Sequence, residues 1–237
     1  MNKTALVTGG TRGIGRAVAE QLIADGYEVV VTSRSTKVGP QATEWGARGL
    51  RLDVADVDSV AALGDHLTAV DVLVNNAGAF AAPTPAPGAP LSDVAAAWRH
   101  NLDVNLVGAA LLVTALEDRL RAGGSVVSIG SIGAEYAGNP YSVAKAALQA
   151  WNVGLAERLG PRDITANVVS PGYTEGTDLF GGPLPEARHT RLVERTTLGR
   201  PGRPADIAGA VAFLASAQAR QITGQTIHVN GGAYTTR

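Results

Sequence analysis

The chain has no cysteine among its 237 residues, which excludes disulfide bonds, thiolate metal sites and cysteine nucleophiles. It also lacks any block of like charge, and its formal net charge is −1. This balance argues against nucleic acid or an anionic membrane surface as the main partner. No apolar run approaches the ~18 residues of a membrane-spanning helix, and the N-terminal stretch lacks the apolar core of a signal peptide. We therefore expect a cytoplasmic protein with no membrane partner.

Histidine is scarce, and its four positions (His66, His100, His189 and His228) have no metal-ligand spacing. No metal is expected on that ground. Glycine is abundant, with 29 residues, and 45% of the chain is hydrophobic. Short strand-like runs alternate with helix-period segments, without a break in composition. This pattern predicts one α/β domain over residues 1–237, a doubly wound parallel sheet of about seven strands with helices on both faces.

A glycine-rich turn follows the first strand-like run, 4–8, and leads into a helical pattern. Its glycines are Gly9, Gly13 and Gly15. Such glycines let the backbone approach a phosphate closely, and the helix N-terminus adds N–H groups and a positive dipole end. The order of strand, turn and helix favours a nucleotide-binding turn, with a plain tight turn as the alternative.

The second predicted strand, 27–32, ends in Ser33 and Arg34. In a dinucleotide-binding unit an acidic residue at this point binds the ribose 2′-hydroxyl, whereas an arginine suits a 2′-phosphate. Arg12, inside the glycine-rich turn, is expected to approach the same phosphate from the other side. The sequence thus favours NADP(H) over NAD(H), with two solvated surface arginines as the alternative interpretation.

The other elements follow from the hydrophobic periodicity. Further strands are predicted at 49–54, 69–74, 124–130, 164–169 and 226–229, and helices at 56–68, 91–121, from Tyr141 to 159, and 204–216. Residues 79–90, rich in proline and alanine, are predicted to form a surface loop. Residues 173–199 are expected to form a lid over the substrate, with a short helix near 185–196 and apolar residues that include Phe180.

A Tyr-x-x-x-Lys pair, Tyr141 and Lys145, begins an alanine-rich helix, and Ser131 lies just upstream at the end of an apolar run. Positions four apart share a helix face, so the lysine is expected to lie beside the phenol. A neighbouring cation favours phenolate and lowers a tyrosine pKa, which suits a general acid/base. Taken alone, the pair is more often a chance feature of a helix than a catalytic one.

With these features together, the chain resembles the classical short-chain dehydrogenases/reductases over nearly its whole length. The matching positions are Thr8, Gly9, Gly13, Ile14, Gly15, Asp53, 75–78, Asn105, Ser131, Tyr141, Lys145, Pro171, Gly172 and 223–225. The resemblance implies a Rossmann-type fold and an oxidoreductase. It implies further that Tyr141 is the acid/base, that Lys145 binds the nicotinamide ribose, that Ser131 polarises the substrate carbonyl, and that Asn105 holds a relay water.

The cofactor contacts are expected from the same resemblance and from the arginines described above. They comprise Gly9, Thr11, Arg12, Gly13, Ile14, Gly15, Ser33, Arg34, Asp53, Val54, Asn76, Ala77, Gly78, Tyr141, Lys145, Pro171, Gly172, Thr174 and Thr177. Thr174 and Thr177 are alternatives for one carboxamide contact. Ser128 lies 13 positions before Tyr141, the usual family separation, whereas Ser131 lies ten before it. We favour Ser131, because Ser128 falls inside the predicted strand.

The expected reaction is NADPH-dependent reduction of a ketone or aldehyde, such as a 3-oxoacyl compound, as in β-ketoacyl-acyl-carrier-protein reductases. One alternative is a secondary-alcohol dehydrogenase in the oxidative direction. Another is a nucleotide-binding regulatory protein without turnover. The substrate would be small or bound to an acyl carrier, and the resemblance implies a homotetramer, with a dimer as the alternative.

Overall fold

The computed structural model describes residues 3–82, 84–136, 138–177, 179, 182 and 184–236. Within them, seven strands form one parallel sheet in the order β3-β2-β1-β4-β5-β6-β7. The strands are β1 (Thr4–Thr8), β2 (Glu28–Ser33), β3 (Arg48–Arg51), β4 (Val70–Asn75), β5 (Leu120–Ile129), β6 (Thr165–Pro171) and β7 (Thr226–Val229). The predicted doubly wound sheet is confirmed.

Eight α-helices connect these strands in the described part of the chain. They are α1 (Gly13–Ala24), α2 (Val38–Thr43), α3 (Val57–Leu63), α4 (Leu91–Leu102), α5 (Gly108–Leu116), α6 (Pro140–Leu159), α7 (Glu186–Glu194) and α8 (Pro204–Ala215). No helix among these residues is both long and apolar enough to cross a membrane.

Two apolar cores lie on opposite faces of the sheet, because successive strand residues point to opposite sides. On β1, Val7 packs with residues of α1, α2 and α8 in one core. Its neighbour Leu6 packs with residues of α3, α5 and α6 in the other. Helices on both faces explain why the strands are nearly continuous apolar runs.

The strand order reverses between β1 and β4, which are neighbours although two strands separate them in the chain. In open parallel sheets a crevice forms at such a reversal, outside the carboxyl ends of the strands. β1 and β2 end together, with Thr8 paired to Thr32. The residues following these strand ends are therefore brought to one edge of the sheet.

The predicted helix 91–121 is divided, and this prediction was wrong in its extent. α4 ends at Leu102, a π-helical segment covers Asp103–Val107, and α5 ends at Leu116. A 3₁₀ turn then leads to β5, which begins at Leu120 rather than 124. The buried Leu120 pairs with Val70 of β4. β5 therefore includes residues that the helical periodicity had assigned to the predicted helix.

Two smaller differences lie at the β3 edge of the sheet. β3 ends at Arg51 rather than at 54, because Asp53 turns the chain by accepting a hydrogen bond from the Ala55 amide at 3.1 Å. α2 has weak sequence signals, since Gly39 and Pro40 are poor helix formers. It packs closely on β3: a Cβ on Gly49 would lie 2.2 Å from the Val38 carbonyl oxygen.

Candidate active site

A cleft of about 560 Å³ lies at the carboxyl ends of the strands, at the reversal between β1 and β4. Every residue predicted to contact the cofactor lines this cleft. So do the candidate catalytic residues Ser131, Tyr141 and Lys145. Asn105 does not belong to its lining. The candidate residues come from seven segments that are distant in sequence, which makes the cleft the candidate active site.

The glycine-rich turn is held by Asn76, which follows β4. Its side-chain amide donates to the carbonyl oxygens of Thr8 at 2.8 Å and Gly9 at 3.1 Å. Gly9 and Gly13 adopt φ values of +63° and +53°, which favour glycine. A Cβ on Gly15 would lie 2.4 Å from the Gly9 carbonyl oxygen. The backbone conformation of this turn thus requires glycine at these positions. The Asn76 side chain stabilises that conformation through its two hydrogen bonds.

The residues present fit a dinucleotide with a 2′-phosphate. The bare glycine backbone precedes the N-terminus of α1, where unpaired N–H groups favour an anion. Arg12 is the residue that precedes this helix, and it lines the same cleft as Ser33 and Arg34. No acidic residue occupies the end of β2. Two guanidinium groups at this end of the cleft suit a phosphate dianion.

Tyr141 and Lys145 lie on the first two turns of α6. Asn139 caps the helix by accepting a hydrogen bond from the Ser142 amide at 2.9 Å, and Pro140 is the first helical residue, both favoured at a helix start. Tyr141 and Lys145 are 5% and 4% exposed. Lys145 Nζ donates to the Ile129 carbonyl oxygen at 2.8 Å, so the end of β5 fixes the ammonium.

The expected lowering of the Tyr141 pKa by Lys145 is wrong for this structure. Burial raises the pKa of Tyr141 to about 12, although a hydrogen bond with the Ser131 side chain opposes the rise. Burial also lowers the pKa of Lys145 to about 8. The Lys145 ammonium lies 5.8 Å from the centre of the tyrosine ring. Desolvation by burial therefore sets the direction of the Tyr141 shift, and Tyr141 is a protonated phenol at neutral pH.

Ser131 and Ser128 occupy different environments. Ser131 precedes a 3₁₀ turn (Ile132–Glu135), accepts a hydrogen bond from the Gly133 amide at 3.1 Å and lines the cleft. Ser128 is fully buried in β5 and accepts a hydrogen bond from the Asn75 side chain at 3.4 Å. Ser128 is not part of the cleft lining. Its hydroxyl is therefore not placed to meet a substrate.

Asn105 lies in the π-helical segment, behind the cleft. Its side-chain amide donates to the carbonyl oxygens of Ala79 at 2.9 Å and Asn101 at 3.0 Å, and its oxygen accepts from the Ala79 amide at 3.1 Å. A Cβ on Gly78 would lie 2.8 Å from the Asn105 oxygen and 3.1 Å from Lys145 Nζ. Asn105 thus orders the chain beside Lys145. Both hydrogens of its side-chain amide are donated to the Ala79 and Asn101 carbonyl oxygens. Its role in holding a water of the proton relay remains a prediction.

The two candidate threonines both line the cleft. Thr174 donates to the Gly172 carbonyl oxygen at 3.3 Å, and Thr177 donates to the Thr174 carbonyl oxygen at 3.1 Å. Thr177 also lies 3.8 Å or less from the position of a Cβ on Gly13. The structure therefore leaves both as candidates and brings Thr177 against the glycine-rich turn.

The predicted lid contains α7, which begins one residue after the predicted start and ends two residues before the predicted end. Tyr173 Oη and His189 Nδ1 lie 2.8 Å apart and connect α7 to the end of β6. Leu179 lines the cleft. Phe180, also expected in the lid, lies outside the described residues.

Several cleft residues had no functional signal in the sequence. Phe80 packs on Tyr141 with ring centres 4.3 Å apart, but it lies in a proline-rich loop without periodicity. Arg188, Leu192 and Arg195 line the cleft from α7 and its end. Their spacing is helical, yet arginines on a short polar helix are ordinarily interpreted as a solvated face.

Comparison with known proteins agrees with this geometry. A family model described as enoyl-(acyl carrier protein) reductase matches residues 9–234. An uncharacterized oxidoreductase of Methylorubrum extorquens is 41% identical, covering 97% of each chain. The 3-oxoacyl-[acyl-carrier-protein] reductase of Salmonella typhimurium is 36% identical, covering 98% of this chain and 97% of its own.

A solved structure shares the arrangement. A blue fluorescent protein from a metagenomic library, determined in complex with NADPH, superimposes with a TM-score of 0.87 at 37% identity, covering 98% of both chains. The chain belongs to the short-chain dehydrogenase/reductase family of oxidoreductases.

Proposed function

We propose that the protein is an NADPH-dependent carbonyl reductase that converts a ketone or aldehyde, of the 3-oxoacyl or a related class, to an alcohol. The observation that carries the proposal is Tyr141. Its hydroxyl lies in the buried part of the cleft, hydrogen-bonded to Ser131, and it is protonated at neutral pH, since burial raises its pKa still further above neutral, to about 12. A protonated phenol is a proton donor, which reduction of a carbonyl requires.

The reduction adds a hydride to the carbonyl carbon and a proton to the oxygen. NADPH, held by the glycine-rich turn and the arginines at the end of the cleft, would supply the hydride. Tyr141 donates the proton, because an alkoxide is a stronger base than a phenolate. The Ser131 hydroxyl donates a second hydrogen bond to the same oxygen, and such preorganised donors stabilise developing negative charge. Lys145, held by the Ile129 carbonyl oxygen, keeps a positive charge near the phenolate that forms.

The preference for NADP(H) over NAD(H) belongs to the same proposal. Its support is the pair of arginines, Arg12 and Arg34, in the lining of the cleft and the absence of an acidic residue at the end of β2. The similar protein solved with NADPH adds to that support.

The substrate source and the assembly state are further parts of the proposal. The name of the Salmonella relative favours an acyl-carrier-bound substrate. Exposed Val107, Val143 and Val153 lie on the segment before α5 and on α6. Exposed apolar side chains on these two segments suit contact with a second copy of the chain, which supports self-association, and we propose a homotetramer. A cytoplasmic location is also proposed.

Replacing Tyr141 with phenylalanine tests the proposed function. Tyr141→Phe removes the proton donor and keeps the ring that packs on Phe80. We expect the rate of NADPH oxidation with a panel of small ketones to fall by roughly 10²- to 10⁴-fold, while NADPH binding, measured by fluorescence titration, stays nearly intact.

Tyr27→Phe is the matched control, since Tyr27 lies outside the cleft lining and its hydroxyl donates to the Ala215 carbonyl oxygen at 3.3 Å. It should turn over normally. Wild-type turnover in Tyr141→Phe would exclude Tyr141 as the proton donor. NADPH binding without oxidation of any ketone by the wild-type protein would favour a regulatory role instead.

A further inference from the structure

The loop after β4 contributes to the cleft wall, although residues 79–82 belong to no helix or strand. A backbone outside regular structure must find its hydrogen-bond partners elsewhere. Asn101 supplies two of them. Its side-chain oxygen accepts from the Ala81 amide at 3.2 Å, and its side-chain nitrogen donates to the Ala82 carbonyl oxygen at 3.2 Å. Asn101 is fully buried in α4 and does not line the cleft, so it holds the loop without facing a ligand.

Asn105 holds the same loop two residues earlier. It bonds both the amide and the carbonyl oxygen of Ala79, and its side-chain nitrogen also donates to the Asn101 carbonyl oxygen. Positions four apart share a helix face, so the two asparagines meet the loop side by side. Phe80 lies between the two anchored positions, Ala79 and Ala81. Its backbone is therefore fixed from both sides.

This fixed backbone places the Phe80 ring against Tyr141. The two ring centres lie 4.3 Å apart, and the ring planes are tilted by 38°. Tilted and offset aromatic pairs attract each other beyond the area that they bury. The backbone of α6 fixes only the base of the Tyr141 side chain, and packing against neighbours is what locks a reactive side chain in one rotamer. Phe80 provides such packing from a different part of the chain.

We propose that Phe80 is a positioning residue for Tyr141, and that Asn101 acts through Phe80 by holding the loop that carries it. The inference rests on the proposed function, because it concerns the group that gives the proton. Phe80 keeps the phenol ring in the orientation in which its hydroxyl meets Ser131 and the carbonyl oxygen of the substrate. The proton transfer itself stays with Tyr141.

Phe80→Ala tests the contact with Tyr141. A small misplacement of a reacting group is costly, so we expect kcat for ketone reduction to fall roughly 10- to 100-fold, while the Kd for NADPH stays at the wild-type value. Phe80→Tyr keeps the ring and should lose much less. Phe213→Ala is the matched control, since Phe213 is 49% exposed on α8, outside the cleft lining, and Phe80 is 41% exposed. A kcat in Phe80→Ala equal to that of Phe213→Ala overturns the inference.

A double-mutant cycle tests whether Asn101 acts through Phe80. Asn101→Ala alone should lower kcat in the same way as Phe80→Ala, and the double variant should fall no further than Phe80→Ala, because residues that act in series are not additive. Asn152→Ala is the control, since Asn152 is 1% exposed on α6, outside the cleft lining, and donates to the Ala166 carbonyl oxygen at 3.2 Å. Effects on kcat that multiply in the double variant overturn the role of Asn101. If Asn101→Ala does not fold, the Phe80 variants decide the inference.

A measurement without turnover separates this inference from the proposed function. In protein labelled with 3-fluorotyrosine, the fluorine NMR signal that is missing from Tyr141→Phe belongs to residue 141. The Asn101 side chain bonds to the loop and, at 2.9 Å, to the Ala97 carbonyl oxygen of its own helix. A shift of the Tyr141 signal in Asn101→Ala, with none in Asn152→Ala, would therefore support the inference even if no ketone were reduced. An unchanged signal in Asn101→Ala would show that the loop does not position Tyr141.

Discussion

The two serines near the end of β5 differ in what surrounds their hydroxyl groups. Ser131 lines the cleft and hydrogen-bonds with Tyr141. Ser128 is enclosed between strands and bonded to the Asn75 amide. Spacing from Tyr141 alone selects the wrong environment, because three residues fewer separate the strand end from α6 here than in the usual family pattern. The shorter connection forms the 3₁₀ turn Ile132–Glu135.

This difference gives a residue-scale prediction. Ser131→Ala removes a donor to the carbonyl oxygen, so we expect kcat to fall by about 10²- to 10³-fold. Ser128→Ala removes one buried hydrogen bond, which costs about 1 kcal/mol of stability and should leave kcat close to the wild-type value. Steady-state kinetics and urea unfolding of both variants check this. The reverse pattern, with kcat lost in Ser128→Ala alone, would contradict the assignment.

The pKa of Tyr141 shows what the sequence cannot supply at this scale. The pair Tyr141 and Lys145 is recognisable because a helix places positions four apart on one face. The direction of the pKa shift depends instead on burial, which is set by neighbours such as Phe80 from a distant loop. Local spacing therefore predicted the partners but gave the wrong sign for the shift.

At the scale of elements, the ends of β1 and β2 determine the cofactor end of the cleft. The two strands are parallel and in register, Thr8 with Thr32. The glycine-rich turn and the Ser33–Arg34 segment must then emerge side by side. This side-by-side placement follows from the alternation of strands and helices alone. The cofactor residues were therefore predictable from the sequence.

Arg34→Asp is the element-scale prediction. An acid at the end of β2 repels a 2′-phosphate and accepts from a ribose hydroxyl. A lost charge-assisted hydrogen bond is worth about 1.5–3 kcal/mol, so the kcat/KM ratio for NADPH over NADH should fall at least tenfold. Arg51→Asp is the control, since Arg51 pairs with Ser33 in the sheet but does not line the cleft. Equal ratios in Arg34→Asp and Arg51→Asp would count against the role of Arg34.

Elements that depend on distant packing were less predictable. The apolar period continues from α4 into α5, so the intervening π-helical segment left no signal in the sequence. That segment nevertheless sets where Asn105 points, toward Ala79 rather than into the cleft. α7 was predicted nearly in place, but the direction of Arg195 depends on Tyr136. The position of a helix along the chain was thus easier to predict than the direction in which its side chains point.

At the scale of the whole molecule, Lys145 is a buried charge that the fold must tolerate. The residue is 4% exposed, and its ammonium donates a hydrogen bond to the Ile129 carbonyl oxygen. Burial lowers its pKa from 10.5 to about 8, and a difference of this size corresponds to roughly 3 kcal/mol at neutral pH. Active sites are often less stable than the surrounding fold because they hold such groups.

The pH dependence follows from that pKa. Below pH 8 the lysine is protonated in both the folded and the unfolded chain, so its effect on stability is constant. Between pH 8 and 10.5 only the unfolded chain keeps the proton. Stability rises with pH wherever the unfolded state binds more protons. The cost of burying Lys145 is therefore full at pH 7 and decreases as the pH approaches 10.5.

Lys145→Met should consequently stabilise the cofactor-free protein while it impairs catalysis. The relief of about 3 kcal/mol is offset by about 1–2 kcal/mol for the Ile129 carbonyl oxygen that loses its donor. We expect a net gain of about 1–2 kcal/mol in the free energy of unfolding at pH 7. Urea unfolding at pH 7 and pH 10, at equal protein concentration, measures it, and the gain should shrink at the higher pH.

Lys37→Met provides the matched control, because Lys37 is exposed just before α2. The same loss of charge and gain of apolar surface there should change the free energy of unfolding by less than about 0.5 kcal/mol at either pH. If Lys145→Met were no more stable than Lys37→Met at pH 7, the fold would be holding the Lys145 charge without cost. The gain expected here instead makes Lys145 a residue that this fold keeps for its chemistry, against its own stability.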